Sequence, residues 1–354
     1  MEGKERISRI LAGKPVDRIG LFEHFWGDTH KQWVQDGKIR EDESFDSHFQ
    51  FDISECWPFN ITADLDFIPE VVAEDEDTIT KKDGNGAILR RHKKHDSTPE
   101  HVGYTVTDRA GWEEIKPLLR PERRRINFEQ YRIAKRQAEE AGRFFVWSGV
   151  NVFESIHPVC GHENMLVGMA LDPDWIRDMA DTYATMAVTM QEMLFEEEGY
   201  PDGVWYYEDM GYKGSPFMSP AMYRELIQPY HAKTIAFAKA HDLPVIMHSC
   251  GFVEPLLPGM IEAGIDCLQA IEVKAGMDLL RLHRSYGDRI ALMGGIDVRA
   301  LYSNDTATID RELEAKIPIV KQGYVLHSDH SIPRTVQYDT YRYFVSRGLE
   351  LGLF

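Results

Sequence analysis

Short apolar, β-branched or aromatic runs recur along the chain, separated by longer stretches of helical periodicity, and this alternation constrains the fold more than any other feature. Eight runs are legible, at 19–25, 51–56, 144–148, 203–208, 244–250, 267–272, 290–297 and 323–329. Amphipathic segments lie between the later ones, at 174–198, 219–241, 253–263, 277–286 and 306–320. Ser219-Pro220 reads as an N-cap followed by proline at the first helical position, while Gly264 and Gly287 read as helix stops. Such alternation requires parallel strands joined by crossover helices, so the expected class is α/β and the expected architecture a (β/α)8 TIM-type barrel. A doubly wound open sheet is the alternative arrangement of the same elements.

The stretch at about 58–143 interrupts the pattern. Two strand-like runs flank Asp83-Gly84-Asn85-Gly86, a strong hairpin signal, and predict a small antiparallel hairpin inserted between the second and third barrel strands. The whole chain, 1–354, otherwise reads as one barrel domain. The charges at Lys81, Lys82 and Asp83 and over 90–95 (RRHKKH) read as a solvated hairpin face rather than an anion site.

Composition narrows the function classes. With 58 acidic against 40 basic side chains the formal charge is −18, and no basic face is evident, which argues against nucleic-acid and anionic-membrane partners. Hydrophobic residues at 43% supply a large core. No apolar run reaches the roughly 18 residues of a membrane span. The opening MEGKERISRILAGKPVDRIG lacks the apolar centre of a signal peptide; Ile7, Ile10 and Leu11 mark a short amphipathic helix instead. The cysteines at 56, 160, 250 and 267 form no CxxC pair and read as free thiols of a cytoplasmic protein.

In such a barrel functional groups gather at the carboxyl ends of the strands. Those ends carry Glu23 and His24, Glu55, Ser148, Glu208 and Asp209, His248 and Cys250, Glu272, Asp297, and His327, Asp329 and His330. In an extended segment residues i and i+2 face the same way, so the His248 imidazole and Cys250 thiol share one side. That pair suits zinc, although on these two residues alone a buried histidine beside an inert cysteine is the slightly better explanation. Further ligands are on offer from neighbouring strand ends, at Glu208, Asp209, Glu272, Asp329 and His330. Adjacent carboxylates on a strand diverge, so at most one of Glu208 and Asp209 faces the mouth, as metal ligand, general acid or substrate anchor; capping the helix that Ser219 opens, or pairing with Lys213, explains such a carboxylate equally well. No GxGxxG, P-loop, HExxH or GxSxG pattern occurs.

At His248-Ser-Cys-Gly251, GMIEAGID (259–266), GDRIALMGGID (287–297) and GYVLHSDHSIP (323–333) the chain resembles the uroporphyrinogen decarboxylase superfamily. The opening ERISRILAGKPVDRIGL and the stretch EDMGYKGSPFMSPAMYRELIQPYH (208–231) support the likeness. The resemblance implies a (β/α)8 barrel. True decarboxylases of this group grip substrate carboxylates with an Arg-Gln-Ala-Gly-Arg stretch near the N-terminus. The corresponding residues here, Leu21-Phe-Glu-His-Phe-Trp-Gly27, contain no arginine and offer Glu23. Corrinoid-linked methyltransferases of the same superfamily hold zinc with a His-x-Cys pair and a later cysteine on the last strand. His248 and Cys250 match the pair, but the last strand ends His327-Ser328-Asp329, so the resemblance implies ligands from Asp329, His330 or Glu208 instead.

The resemblance thus implies a zinc-dependent methyltransferase that moves a methyl group from a methoxylated or methylated small molecule to a corrinoid protein. In this reading His248 and Cys250 hold the metal, with Glu208 or Asp329 completing its ligands. Glu208, Asp209 and Asp329 are the candidate catalytic groups, and Glu23, Trp147, Tyr207, Tyr212 and His330 the candidate substrate contacts. The alternative is a cofactor-free decarboxylase of a tetrapyrrole or aromatic acid, in which Asp209 or Asp329 stabilises a protonated ring and Arg334 or Arg299 grips a carboxylate. A non-catalytic tetrapyrrole carrier has no need of a mouth crowded with ionisable groups. A homodimer is common in the resembling family.

Overall fold

A computed structural model describes residues 1–94 and 98–354. Eight parallel strands form the centre: β1 (Gly20–Leu21), β2 (Ile53–Cys56), β3 (Phe144–Val150), β4 (Gly203–Tyr207), β5 (Val245–Ser249), β6 (Cys267–Ala270), β7 (Ala291–Met293) and β8 (Tyr324–Leu326). Their order is β1-β8-β7-β6-β5-β4-β3-β2, so the sheet curls until its two edges face each other. The seam is closed by the Asp52 N–H, which donates to the Leu21 carbonyl at 2.9 Å. Asp52 is itself buried and accepts from Arg6, Arg18 and the Leu21 N–H, tying the N-terminal helix Gly3–Leu11 across the seam. A nearly closed parallel barrel results, as the eightfold alternation predicts.

Strand periodicity decides what faces the barrel axis. On β4, Trp205 and Tyr207 point inward, with the Trp205 ring 5.3 Å from Phe22 and that of Tyr207 4.8 Å from His248. Tyr206 points outward and accepts from the Gln191 amide of the helix Pro173–Glu198 at 2.9 Å. The Ser219 hydroxyl caps its helix by accepting from the Met222 N–H at 3.1 Å. The single helix expected over 219–241 is two, Pro220–Leu226 and Gln228–Ala240. Pro229 cannot donate a backbone hydrogen bond, so it starts the second helix rather than continuing the first. No helix among the described residues is long and apolar enough to cross a membrane.

The insertion is larger than a hairpin. Four antiparallel strands, Glu70–Glu74, Thr78–Lys82, Ala87–His92 and Glu100–Tyr104, lie side by side in chain order. The turn at 83–86 is where the hairpin signal puts it: Asp83 accepts from the Asn85 and Ala87 N–H groups, and Gly86 has φ +78° with its missing Cβ against Thr105. The outer strands escape a hairpin reading because Glu70–Glu74 is exposed throughout and carries no alternation. Three of the basic residues pair within this insertion, Arg90 with Glu100, Lys93 with Glu74 and Lys94 with Asp77; His95 lies outside the described residues.

Candidate active site

The mouth lies at the carboxyl ends of β4, β5, β6 and β8. Met247 faces the helices, so His248 turns back toward the axis, and the chain leaves the strand with Cys250 on the same side. Asp209 comes from the loop after β4. One ligand atom from each of Asp209, His248 and Cys250 falls within 4.8 Å of the others. His248 Nε2 is 3.1 Å from Asp209 Oδ1 and 3.3 Å from Cys250 Sγ. The Cys250 N–H donates to the same Asp209 oxygen at 2.7 Å, and the Gly251 N–H to Glu272 at 2.8 Å.

The electrostatics of the trio are those of mutually dependent groups. Enclosure in the mouth works against the Asp209 carboxylate, but the facing His248 outweighs it and holds the carboxyl at about 2. Burial likewise opposes charge on His248, yet Cys250 and Asp209 together raise it well above its ordinary value. The Cys250 thiol is raised, because burial disfavours the thiolate more than His248 favours it. An imidazole nitrogen, a thiolate and a carboxylate oxygen are the donor types of zinc sites, and three protein ligands leave one position open, as in catalytic rather than structural sites.

A cavity of about 250 Å³ opens on the trio and is lined by His24, Trp26, Tyr207, Gln269, His327 and His330 among others, with Thr98 contributed by the insertion. Trp26 and His330 stack at 6.1 Å. A hydrogen-bond network runs beneath. Tyr207 donates to Glu55 at 3.1 Å and lies 2.8 Å from His24 Nε2; His24 Nδ1 is 2.9 Å from His327 Nε2. Glu55 also accepts from Ser148 and Trp57. Partial burial raises its carboxyl, but hydrogen bonding and charge from His24 turn the balance and lower it.

The sequence-derived candidates divide clearly. Asp209, His248 and Cys250 converge, and Tyr207 and His330 line the same cavity. Glu208 does not: it is fully buried on the outward face, accepting from the Phe153 and Glu154 N–H groups at 2.7 and 3.0 Å and pairing with His231. Period-two alternation forces this, since Tyr207 faces inward. Glu208 caps the helix Val152–Leu171 and is corrected from metal ligand and catalytic group to a structural position. Asp329 borders the cavity but spends its oxygens on the Val273 and Val298 N–H groups at 2.9 and 2.8 Å, outside the trio; burial pushes its carboxyl up to about 6.

Three further candidates lie away from the cavity wall. Glu23 is buried below the mouth, accepting from the Ser328 N–H, the Ser328 hydroxyl and the His24 N–H. Trp147 faces outward, 1% exposed, packing on Tyr206 at 5.6 Å, because Ser148 takes the inward place beside Glu55. Tyr212 is exposed and rests on Phe217 at 5.8 Å. Arg299 pairs with Asp297, and neither it nor Arg334 lines the cavity. Besides Trp26, the sequence reading missed Gln269, opposite His248 in the parallel register and hydrogen-bonded to its Nδ1. Its signal was faint: one amide in the otherwise apolar strand Cys267–Ala270.

Comparison with known proteins agrees with this architecture. Over 148 residues the chain is 26% identical to a methylated-thiol–coenzyme M methyltransferase of Methanosarcina mazei, covering 42% of this chain; the match spans 37% of that relative's length. A solved methyltransferase structure from Methanosarcina mazei superposes with a TM-score of 0.65 at 14% identity, over 99% of both chains, and so shares the fold. The family described as uroporphyrinogen decarboxylase (URO-D) matches residues 106–348, more than half of the sequence. The chain therefore belongs to the uroporphyrinogen decarboxylase family.

Proposed function

We propose that this chain is a zinc-dependent methyltransferase, moving a methyl group from a methoxylated or methylated small molecule to a corrinoid protein. The observation that carries the reading is the convergence of Asp209, His248 and Cys250 on one point of the barrel mouth. These three residues would hold the metal, whose contribution when bound is Lewis-acid polarisation of the donor's heteroatom. A carboxylate in place of a second thiolate leaves less electron density on the metal, which suits an ether oxygen better than a thiol.

The chain's own residues supply the rest. The Trp26–His330 stack and the Tyr207 ring give flat walls that orient a ring-sized donor in a cavity of about 250 Å³. Tyr207 and His24 place hydrogen-bonded protons close to the trio, and Glu55 holds that pair in position. The decarboxylase alternative finds less support, because no arginine or lysine among the described residues lines the cavity to grip a carboxylate.

The test is methylation of cob(I)alamin, free or on a corrinoid protein, by a panel of methoxylated aromatic donors, followed through the methylcobalamin spectrum. The wild type is expected to transfer the methyl group and Cys250→Ala to lose transfer. Absence of transfer with the panel, together with carbon dioxide release from an aromatic acid in EDTA, would overturn the reading.

A further inference from the structure

We propose that Gln269 is a positioning residue that fixes which ring nitrogen of His248 is offered to a metal ion, a role that rests on the metal reading above. The direction of each hydrogen bond follows from the far end of the network. His327 Nδ1 faces the Ser328 carbonyl oxygen, which can only accept, so that nitrogen carries the proton. His327 is fully buried; burial first, and the neighbouring His24 second, keep the ring neutral, and its Nε2 therefore presents a lone pair.

Facing that lone pair are the Gln269 amide nitrogen at 3.3 Å and His24 Nδ1 at 2.9 Å. Only the NH2 end of the amide can donate there, and the carbonyl end is then turned to His248 Nδ1. A carbonyl oxygen requires a proton on Nδ1. When a cation displaces one proton from His248, the proton lost is the one on Nε2, the nitrogen 3.3 Å from Cys250 Sγ and 3.1 Å from Asp209. An amide turned over would set its NH2 against Nδ1 and keep the proton on Nε2, between the other two ligands. A backbone carbonyl just past β8 thus selects the ligating nitrogen on β5 through His327 and Gln269. Hydrogen-bond partners behind metal-bound histidines are worth about 10–100-fold in metal affinity.

The experiment measures zinc affinity by competition with a chromophoric chelator, and the visible spectrum of the cobalt-substituted protein, in three variants alongside wild type. Gln269→Leu, which offers no acceptor, is expected to lose about 10–100-fold in affinity and to shift the cobalt bands. Gln269→Glu still accepts from Nδ1 and is expected to stay within about threefold of wild type. His327→Phe leaves Gln269 in place but removes the lone pair that orients it, and is expected to weaken zinc in the same direction by about threefold or more. Thermal melts check that each variant folds; His327→Phe and Gln269→Glu decide the matter if Gln269→Leu does not. Unchanged affinity in the folded Gln269→Leu and His327→Phe variants, or equal loss in Gln269→Glu and Gln269→Leu, overturns the assignment. A wild type that binds neither zinc nor cobalt fails at an earlier step and overturns the metal reading itself.

Discussion

His248 Nε2 lies 3.1 Å from Asp209 Oδ1 across the ends of two neighbouring strands. The contact joins the penultimate residue of β5 to the second residue beyond β4, and Cys250 anchors the same carboxylate through its backbone N–H. Glu208, one position earlier, is turned to the opposite side of the sheet.

Two adjacent carboxylates therefore have separable roles. Asp209→Ala is expected to abolish tight zinc binding while shifting stability by about 1–2 kcal/mol, for the Cys250 N–H bond and the partly exposed His248 contact it gives up. Glu208→Ala strands two buried N–H groups and His231, and is expected to cost about 3 kcal/mol or more. Chemical denaturation with zinc titration checks both. Equal metal loss with equal stability loss in the two variants would contradict the division.

Glu23 makes stability depend on pH in an unusual direction. Burial, opposed by the Ser328 and His24 donors, pushes its carboxyl up to about 8 from an ordinary value of 4.5. Between those values the native state binds more protons than the unfolded chain, so stability falls as pH rises through the window. Glu23→Gln cannot ionise, and its urea midpoint is expected to vary less than wild type's between about pH 5 and pH 8. Parallel pH profiles would contradict the shift.

How much of this was legible in the sequence follows from what each feature depends on. The eight strands were readable because their apolar runs are local. His248 and Cys250 were readable as a pair because period two is a property of one strand. The third member was named among several strand-end acids, and the choice between Glu208 and Asp209 needed the inward face of β4, which Trp205 and Tyr207 define only once packed on Phe22 and His248. Trp147 was misplaced for the same reason, one residue out of phase with Ser148. Gln269 was invisible because its meaning lies in β5 and β8, far away in the chain. The exposed strand Glu70–Glu74 has no buried face to pattern it.

Arg125 ties together the two segments that flank the inserted sheet, 60–63 and 118–125. It is 2% exposed, and its guanidinium donates to the carbonyls of Arg120, Asn60, Thr62, Ala63 and Leu118, with no carboxylate among the described residues in ion-pair contact with it. Burial accordingly lowers its pKa. Arg125→Met is expected to cost about 3 kcal/mol or more, since several carbonyls lose their donor at once. The loss should appear as faster amide exchange over 60–63 and 118–126, with β5 and β6 protected as before. Uniform loss of protection throughout the barrel would contradict a local role.

The proposed methyl transfer requires Asp209, His248 and Cys250 to share one metal ion. Elemental analysis of purified protein reconstituted with zinc and freed of loose metal addresses it directly. The expected result is about one zinc per chain, falling to near zero in His248→Ala and in Cys250→Ala. Metal-free wild type after reconstitution, or full zinc content in both variants, would contradict it.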